Sequence, residues 1–205
     1  MPSIQNFYDR VGSLYDWAER FEGRAKSVAF EQLSLTKGNC VLNVGAGTGI
    51  DHARLARQIG STGMAAALDL STVMLRLVRE RTHQPIVRAD ARTLPFRDQS
   101  FDCVFCSYVL DLIPTQELRA TVHEFQRVLR PGGQIALVTM TNGTTRTSKE
   151  LIRIWTSLYR LSPIVCGGCR PVELLPLLQQ EEFRQIRRSV VVEAGFPSQI
   201  IIASC

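Results

Sequence analysis

An apolar segment that runs directly into three alternating glycines, "CVLNVGAGTGI" at residues 40–50, constrains the fold of this chain more than any other feature. It begins a regular alternation of strand-like and helix-like segments. Strands are predicted near 40–44, 64–69, 85–89, 101–107 and 134–140, and helices near 50–59, 72–82 and 115–130. In the last of these helices, Thr115 suits the N-cap and "RPGG" marks the end. The alternation predicts an α/β fold with a parallel sheet and right-handed crossovers.

The flanking segments are predicted to be helical, apart from a terminal pair of strands. An apolar stripe from Phe7 to Phe21 predicts an amphipathic helix, broken or bent at Gly12 and Gly23, and a second helix follows to about Leu35. Helices are predicted over 148–161 and 172–181, and the tail contains two strands around a Gly-Phe-Pro connection. With 205 residues, the chain is predicted to be a single domain over 1–205. A helical arm covers 1–36, and a helical cap segment, 145–182, precedes the last two strands.

The charge, the first residues and the cysteines of the chain indicate which partners and which cellular location to expect. The net charge is +5, but no basic run is interleaved with aromatic residues, so no nucleic-acid partner is predicted. The start "MPSIQNFYDR" has no secretory signal, and six cysteines without one indicate reduced thiols in the cytoplasm.

No metal site is predicted from the cysteines. Cys103 and Cys106 lie on one predicted strand at an odd separation, so they point to opposite faces. Cys166 and Cys169 are too far in sequence from the Cys103–Cys106 pair to complete a zinc ribbon with it. The remaining alternative for their "CGGC" loop is redox chemistry.

The three glycines identify the place where a ligand approaches the sheet. In an open parallel sheet, ligands bind beyond the carboxyl ends of the strands, and Gly45, Gly47 and Gly49 allow a tight turn and a close approach there. A dinucleotide fingerprint needs its last glycine where Ile50 stands, and a P-loop needs a Gly-Lys-Ser/Thr sequence that is absent. The spacing argues against both phosphate-binding motifs. A plain strand-to-helix connection is the alternative.

Two carboxylates follow the next strands at the same predicted edge. Asp69 ends the second strand, where a carboxylate can accept hydrogen bonds from both ribose hydroxyls. Asp90 ends the third strand and can meet the amino edge of an adenine. Each aspartate alone fits a helix cap or a turn equally well. The three strand ends together indicate a nucleoside-containing ligand.

The residues also carry a family resemblance over nearly the whole chain, from about Tyr8 to the C-terminal "AGF". The blocks "VLNVGAGTG", "ALDLSTVML", "VRADARTLPFRDQSFDCVFCSYVLDLIP" and "HEFQRVLRPGGQIALV" resemble class I S-adenosylmethionine-dependent methyltransferases, in the branch with the ubiquinone and menaquinone biosynthesis enzymes. The resemblance implies S-adenosylmethionine as cofactor. It also implies a Rossmann-like, doubly wound seven-stranded sheet with its last strand antiparallel and an N-terminal helical lid.

Residue roles follow from the resemblance. The three glycines border the methionine part of the cofactor, Asp69 holds the ribose, and Ser107 lies near the sulfonium. The residues implied around the adenine are Leu70, Met74, Asp90 and the backbone of Ala91. Asn43 departs from the family, which usually has Glu or Asp there to support the cofactor's ammonium group; Asn keeps the hydrogen-bonding capacity without the charge.

Methyl transfer from a sulfonium needs mainly alignment and a dry pocket, but an acceptor that must lose a proton also benefits from a base. Asp111 is the candidate base, and its alternative is a carboxylate that starts the next helix. Tyr108 is a candidate wall of the acceptor pocket. Tyr8 and Tyr15 are candidate lid residues, with packing against the domain as the alternative. His52 is predicted at the surface of a helix start, with a contact to the cofactor as the alternative.

The acceptor itself is predicted only by class. The segment "LIRIWTSLYRLSPIVCGG" is apolar with interspersed arginines, which suits a lipid-like or small-molecule acceptor with an anionic group, or a peripheral membrane contact. A helix packed on the sheet with solvated arginines is the alternative. A quinone precursor, a phospholipid head group and a secondary metabolite remain open. The rival function is a non-catalytic S-adenosylmethionine-binding partner or regulatory subunit.

Overall fold

A single mixed sheet of seven strands forms the centre of the protein. The computed structural model describes the backbone of residues 2–11 and 19–205 and the side chains of 6–10 and 22–205. The strands are β1 (Cys40–Val44), β2 (Met64–Asp69), β3 (Ile86–Arg88), β4 (Phe101–Ser107), β5 (Leu129–Met140), β6 (Arg184–Glu193) and β7 (Phe196–Ser204). Their order across the sheet is β3-β2-β1-β4-β5-β7-β6.

The strand directions follow the predicted topology. Strands β3, β2, β1, β4 and β5 run parallel to one another, whereas β7 is antiparallel to both β5 and β6. The doubly wound seven-stranded sheet with an antiparallel last strand is therefore confirmed. The order also reverses between β1 and β4, which makes the carboxyl end of β1 a switch point where ligands bind.

Seven helices surround the sheet in the described ranges. They are α1 (Pro2–Val11), α2 (Glu19–Gln32), α3 (Ile50–Ile59), α4 (Thr72–Arg81), α5 (Leu118–Val128), α6 (Arg146–Leu161) and α7 (Leu175–Gln180). The predicted cap segment, 145–182, contains α6, a 3-10 helix over Pro163–Cys166, and α7. No helix in these ranges has the length and apolar character needed to cross a membrane.

Three predicted helix boundaries differ from those of the structure. Gly23 lies inside α2 and does not break it, while Gly12 falls outside the described residues. Thr115 starts a 3-10 turn and makes no side-chain cap, so α5 begins only at Leu118. It ends at Val128, before "RPGG", because Leu129 already pairs with Phe101 of β4.

The core has one layer on each face of the sheet. Leu42 and Val44 of β1 join the cluster that includes Cys106, whereas Val41 joins the cluster that includes Cys103. This confirms that the two cysteines of β4 point to opposite faces. Because both faces are covered, β1, β2 and β4 are apolar almost throughout, and their polar residues concentrate where the strands end.

Candidate active site

A cleft of about 460 Å³ opens at the carboxyl ends of β1, β2 and β4. Most of the predicted site residues line this cleft. These are Tyr8, Gly45, Gly47, Asp69, Leu70, Met74, Asp90, Ala91, Ser107 and Tyr108. Asn43, Gly49 and Asp111 are not among its lining residues, and Tyr15 lies outside the described residues.

The glycine loop combines tight packing with one open position. Gly45, Gly47 and Gly49 have φ values of 68°, 53° and 89°, in the left-handed region that favours glycine. A Cβ at Gly45 would lie 2.0 Å from Val109 Cγ2, and one at Gly49 would lie 2.9 Å from the Cα of Val78 in α4. A Cβ at Gly47 would meet nothing within 4 Å. Gly45 and Gly49 thus hold the loop against its surroundings, while Gly47 leaves room beside the cleft.

Asp69 ties the glycine loop to the start of α4. Its Oδ2 accepts the Gly47 N–H at 3.0 Å, and its Oδ1 accepts the Ser71 N–H at 2.9 Å. Burial raises the pKa of this carboxyl, and the backbone hydrogen bonds oppose the rise. Since a carboxylate oxygen can accept more than one hydrogen bond, both oxygens retain capacity for ligand hydroxyls.

At the end of the cleft beside β3, one arginine pairs with two carboxylates, an arrangement that the sequence did not predict. Arg92 Nη2 lies 2.6 Å from Asp90 Oδ2, and Arg92 Nη1 lies 2.5 Å from Glu117 Oε2. The hydrogen-bonded guanidinium holds the pKa of Asp90 below its usual range. Nearby, Leu70 is 44% exposed and Met74 is buried, so the exposed Leu70 side chain can contact a flat ligand in the cleft. Asp90 therefore stays ionised as an acceptor at this end of the cleft.

The other end of the cleft is built around the last residues of β4. Tyr108 has a φ of 54° and places its hydroxyl 2.7 Å from Ser198 Oγ. The Oγ of Ser107 is buried and has no hydrogen-bond partner among the described residues. Tyr8, on α1, donates its hydroxyl to the carbonyl of Gly167 at 3.1 Å. These side chains line the end of the cleft that contains the predicted acceptor-pocket residue Tyr108 and the predicted lid residue Tyr8.

Helix α1 spans the mouth of the cleft through two polar contacts. One is the Tyr8 hydrogen bond to Gly167, and the other joins Asp9 to the hydroxyl of Ser71, the N-cap of α4. The arm thus touches both sides of the opening. This arrangement suits the lid predicted for the N-terminal helix.

A charged cluster from α2 and α3 is the largest feature that the sequence did not reveal. Lys26 Nζ lies 3.0 Å from Glu22 Oε2 and 3.2 Å from Asp51 Oδ2, and all three side chains are at most 16% exposed. The ammonium also lies 5.9 Å from the centre of the Tyr108 ring. The available signal was the i, i+4 spacing of Glu22 and Lys26 on the buried side of a helix.

Asn43 and His52 lie in the core beside the cleft. Asn43 is 2% exposed, and its Nδ2 has no hydrogen-bond partner among the described residues. Two carboxylates besides Asp69, those of Glu22 and Asp51, line the cleft on this side, whereas Asn43 does not. The prediction of a surface position for His52 is wrong, since it is fully buried on the same side of α3 as Leu55 and Ile59. Burial lowers the pKa of His52 to about 4, so its ring is neutral.

Asp111 occupies the core and not the cleft wall. It lies in a 3-10 turn over Leu110–Leu112, is fully buried, and accepts the Met140 N–H on Oδ2 at 2.9 Å. Asp111 thus lies in the first turn of a short helix, as its alternative expects, but its described side-chain hydrogen bond goes to β5 and does not cap that helix. Burial raises the pKa of Asp111 well above the ordinary value. The role of general base stays a prediction, and this location gives it no geometric support.

We expect Asp111→Asn to stabilise the protein at neutral pH and to change turnover little. Because the folded pKa is raised, the wild type loses stability as the pH rises from the unfolded value, about 3.9, through the folded value. Each unit of difference amounts to about 1.4 kcal/mol. Thermal unfolding across pH should show a higher Tm for the variant at pH 8 and convergence near pH 4. A large loss of turnover with unchanged cofactor affinity would instead restore the base role.

The fold and the cleft together define a class of protein. A glycine loop at the switch strand, with carboxylates at the ends of the next two strands, is the arrangement of α/β proteins that bind a nucleoside-containing cofactor.

Comparisons with known proteins identify the family within that class. A sequence model of the family described as "Methyltransferase domain" matches residues 41–133. The chain is 30% identical over 174 residues to the 2-phytyl-1,4-naphtoquinone methyltransferase of Nostoc punctiforme, covering 79% of this chain and 73% of that protein. It is 29% identical over 163 residues to the demethylmenaquinone methyltransferase of Staphylococcus aureus, covering 78% and 63%.

A solved methyltransferase structure has the same fold. The structure of a Thermotoga maritima S-adenosylmethionine-dependent methyltransferase superposes with a TM-score of 0.75 at 18% identity, over 97% of this chain and 98% of that one. The chain belongs to the class I S-adenosylmethionine-dependent methyltransferases, in the branch similar to quinone-biosynthesis enzymes. It is an enzyme of this type, with S-adenosylmethionine as its cofactor.

Proposed function

We propose that this methyltransferase acts on a small, lipid-like acceptor of the quinone type. The observation that carries the proposal is the composition of the cleft beyond Ser107. Tyr8, Tyr108 and Val109 line it there, and the apolar residues Leu112, Ile113 and Pro114 also line the cleft. The names of two relatives, a phytyl-naphthoquinone methyltransferase and a demethylmenaquinone methyltransferase, support the same acceptor class.

The described residues fit the cofactor. The open space at Gly47, the free acceptor capacity of Asp69 and the unpartnered Ser107 hydroxyl suit the methionine part, the ribose and the region of the sulfonium. Leu70 and Met74 would enclose the adenine, and Asp90 with Ala91 would meet its amino edge. When bound, S-adenosylmethionine supplies a methyl group already activated by the positive sulfur.

We further propose that Glu22 and Asp51 provide the negative charge that Asn43 lacks. Both carboxylates line the cleft near the glycine loop, whereas Asn43 does not. Lys26 lies within 3.2 Å of both carboxylates and 5.9 Å from the centre of the Tyr108 ring, which places its ammonium beside the proposed acceptor pocket. A hydroquinone carbon that gains a methyl group must release one proton. An ammonium near its oxygen would favour the ionised, more nucleophilic form.

A labelled-methyl transfer assay tests this function. The purified full chain is incubated with methyl-labelled S-adenosylmethionine and one of three acceptor pools: demethylmenaquinone, phospholipid vesicles, or a water-soluble metabolite extract. We expect label in the demethylmenaquinone fraction and background levels in the other two. The Asp69→Ala variant, assayed at a limiting concentration of S-adenosylmethionine, serves as the reference with weakened cofactor binding.

The other outcomes contradict the proposal in distinguishable ways. Label confined to the phospholipid or to the water-soluble pool would replace the acceptor class while keeping the enzyme. Cofactor binding without transfer to any pool would favour the rival of a non-catalytic binding partner.

A further inference from the structure

Exposed apolar side chains are concentrated in one segment of the protein. Seven large hydrophobic side chains are exposed among the described residues, and five of them belong to α6 and the 3-10 helix that follows it. They form what we term the apolar face: Ile154 (59% exposed), Leu158 (41%), Leu161 (84%), Ile164 (46%) and Val165 (69%). Soluble surfaces usually scatter such residues singly, so this concentration needs a physical reason.

The apolar face is not the side of α6 that packs on the protein. That side contains the buried Ser148 and Ile152. Its Trp155 donates Nε1–H to the Cys169 carbonyl at 2.9 Å and stacks edge-on against Phe196 at 5.2 Å. Ile154, Leu158 and Leu161 repeat at spacings of four and three, so they form a separate stripe along the helix. The sequence-based alternative of simple packing on the sheet accounts for only one side of α6.

A basic row runs beside this apolar stripe. Arg146, Arg153 and Arg160 follow one another at intervals of seven residues, which places them along one side of the helix. Glu150 is the sole acidic residue of the segment 146–166, and it pairs with Arg153 at 2.6 Å. The segment therefore combines an exposed apolar stripe with net positive charge, which is the composition of helices that lie in the surface of anionic membranes.

The apolar face is also continuous with the mouth of the cleft. Its last two residues belong to the 3-10 helix Pro163–Cys166, which leads directly to Gly167. The Gly167 carbonyl accepts the hydroxyl of Tyr8, a residue that lines the cleft. A surface covering the apolar face would therefore border the entrance through which an acceptor arrives.

We propose that the apolar face docks this enzyme on the surface of an anionic lipid bilayer. Leu158, Leu161 and Val165 enter the boundary between head groups and acyl chains, and Arg153 and Arg160 lie at the level of the phosphates. The docking deepens the proposed function, because the bilayer would then supply the lipid-like acceptor. Only the purpose of the docking rests on the proposed function, because the exposure of the apolar face is observed independently of any acceptor.

Vesicle sedimentation with the full chain tests the docking. The vesicles are pure phosphatidylcholine or phosphatidylcholine mixed with phosphatidylglycerol. The variants are Leu158→Gln/Leu161→Gln and Arg153→Gln/Arg160→Gln, which keep good helix formers in α6. Met64→Gln is the matched control, since Met64 is also exposed, at 40%, but lies at the opposite end of the sheet at the start of β2.

We expect the wild type and the Met64 variant to bind the mixed vesicles alike. The leucine pair should weaken binding at least about tenfold, because apolar insertion is lost. The arginine pair should weaken it about fivefold per charge on the mixed vesicles and little on the neutral ones. Calorimetry should give all four proteins the same S-adenosylmethionine affinity, so a failure of docking is distinguishable from a failure of the proposed function.

Three results would overturn the docking proposal. One is the absence of wild-type binding to the mixed vesicles. Another is binding that the leucine pair leaves unchanged. The third is a wild-type dimer, measured by light scattering, that the leucine pair converts to monomer, because the apolar face would then be a contact between two copies of the chain.

Discussion

Replacing Asp69 by alanine is expected to weaken S-adenosylmethionine binding by about 10- to 150-fold while the protein stays folded. This loss of affinity corresponds to about 1.5–3 kcal/mol, the usual contribution of hydrogen bonds to a charged group. Asp69 would accept the ribose hydroxyls, and it already accepts the N–H groups of Gly47 and Ser71. The substitution therefore removes a ligand contact and also releases the glycine loop.

Two variants separate these contributions to cofactor binding. Asp69→Asn keeps one acceptor oxygen and should give an intermediate affinity by calorimetry. Asp98→Ala removes a carboxylate that is 73% exposed and should behave as the wild type. Thermal unfolding of each protein establishes that it is folded. Wild-type affinity in a folded Asp69→Ala protein would remove Asp69 from the site.

Replacing Lys26 by methionine is expected to lower the free energy of unfolding by about 3 kcal/mol at neutral pH. Removing one partner of a buried ion pair leaves an uncompensated charge, which typically costs about 3–5 kcal/mol. Here two carboxylates, Glu22 and Asp51, would lose the ammonium that lies within 3.2 Å of both. The lower end of the range applies because both carboxylates keep some exposure, 16% and 13%.

Urea unfolding of a small set of variants tests this cluster. Lys26→Arg keeps the charge and should recover part of the loss. Lys37→Met removes an exposed lysine and should stay within about 0.5 kcal/mol of the wild type. Neutralising all three members, with Glu22→Gln, Lys26→Met and Asp51→Asn, should recover most of the stability, since no buried charge remains. If Lys26→Met alone is as stable as the wild type, the cluster does not stabilise the fold.

The cofactor end of the cleft was predictable because its residues follow directly from local patterns. Gly45, Gly47, Asp69 and Asp90 stand at the ends of predicted strands, and parallel strands bring their carboxyl ends to one edge. The periodic spacing of apolar residues in the strands and helices was clear enough to place those strand ends within a few residues. The seven-stranded sheet and its antiparallel last strand were predicted from the family resemblance, and the structure confirms both.

The acceptor end was not predictable to the same degree, since it depends on contacts between distant segments. Lys26 meets Asp51 across two helices, and Tyr8 reaches the Gly167 carbonyl across most of the chain. A sequence pattern carries no signal for such pairs. The same reason explains the error at His52, whose burial depends on how α3 packs.

The sequence by itself determined the class of fold, the glycine loop and the two strand-end carboxylates, Asp69 and Asp90, because each is encoded by a local period or a short motif. Only the tertiary structure decided which charged groups face the cleft and which are enclosed. Asp111 is close in sequence to the end of β4, yet its carboxylate turns into the core because the Met140 N–H of β5 lies 2.9 Å away. The same packing left Leu158 and Leu161 of α6 in solvent, since Ile152 and Trp155 already occupy the side that meets the protein.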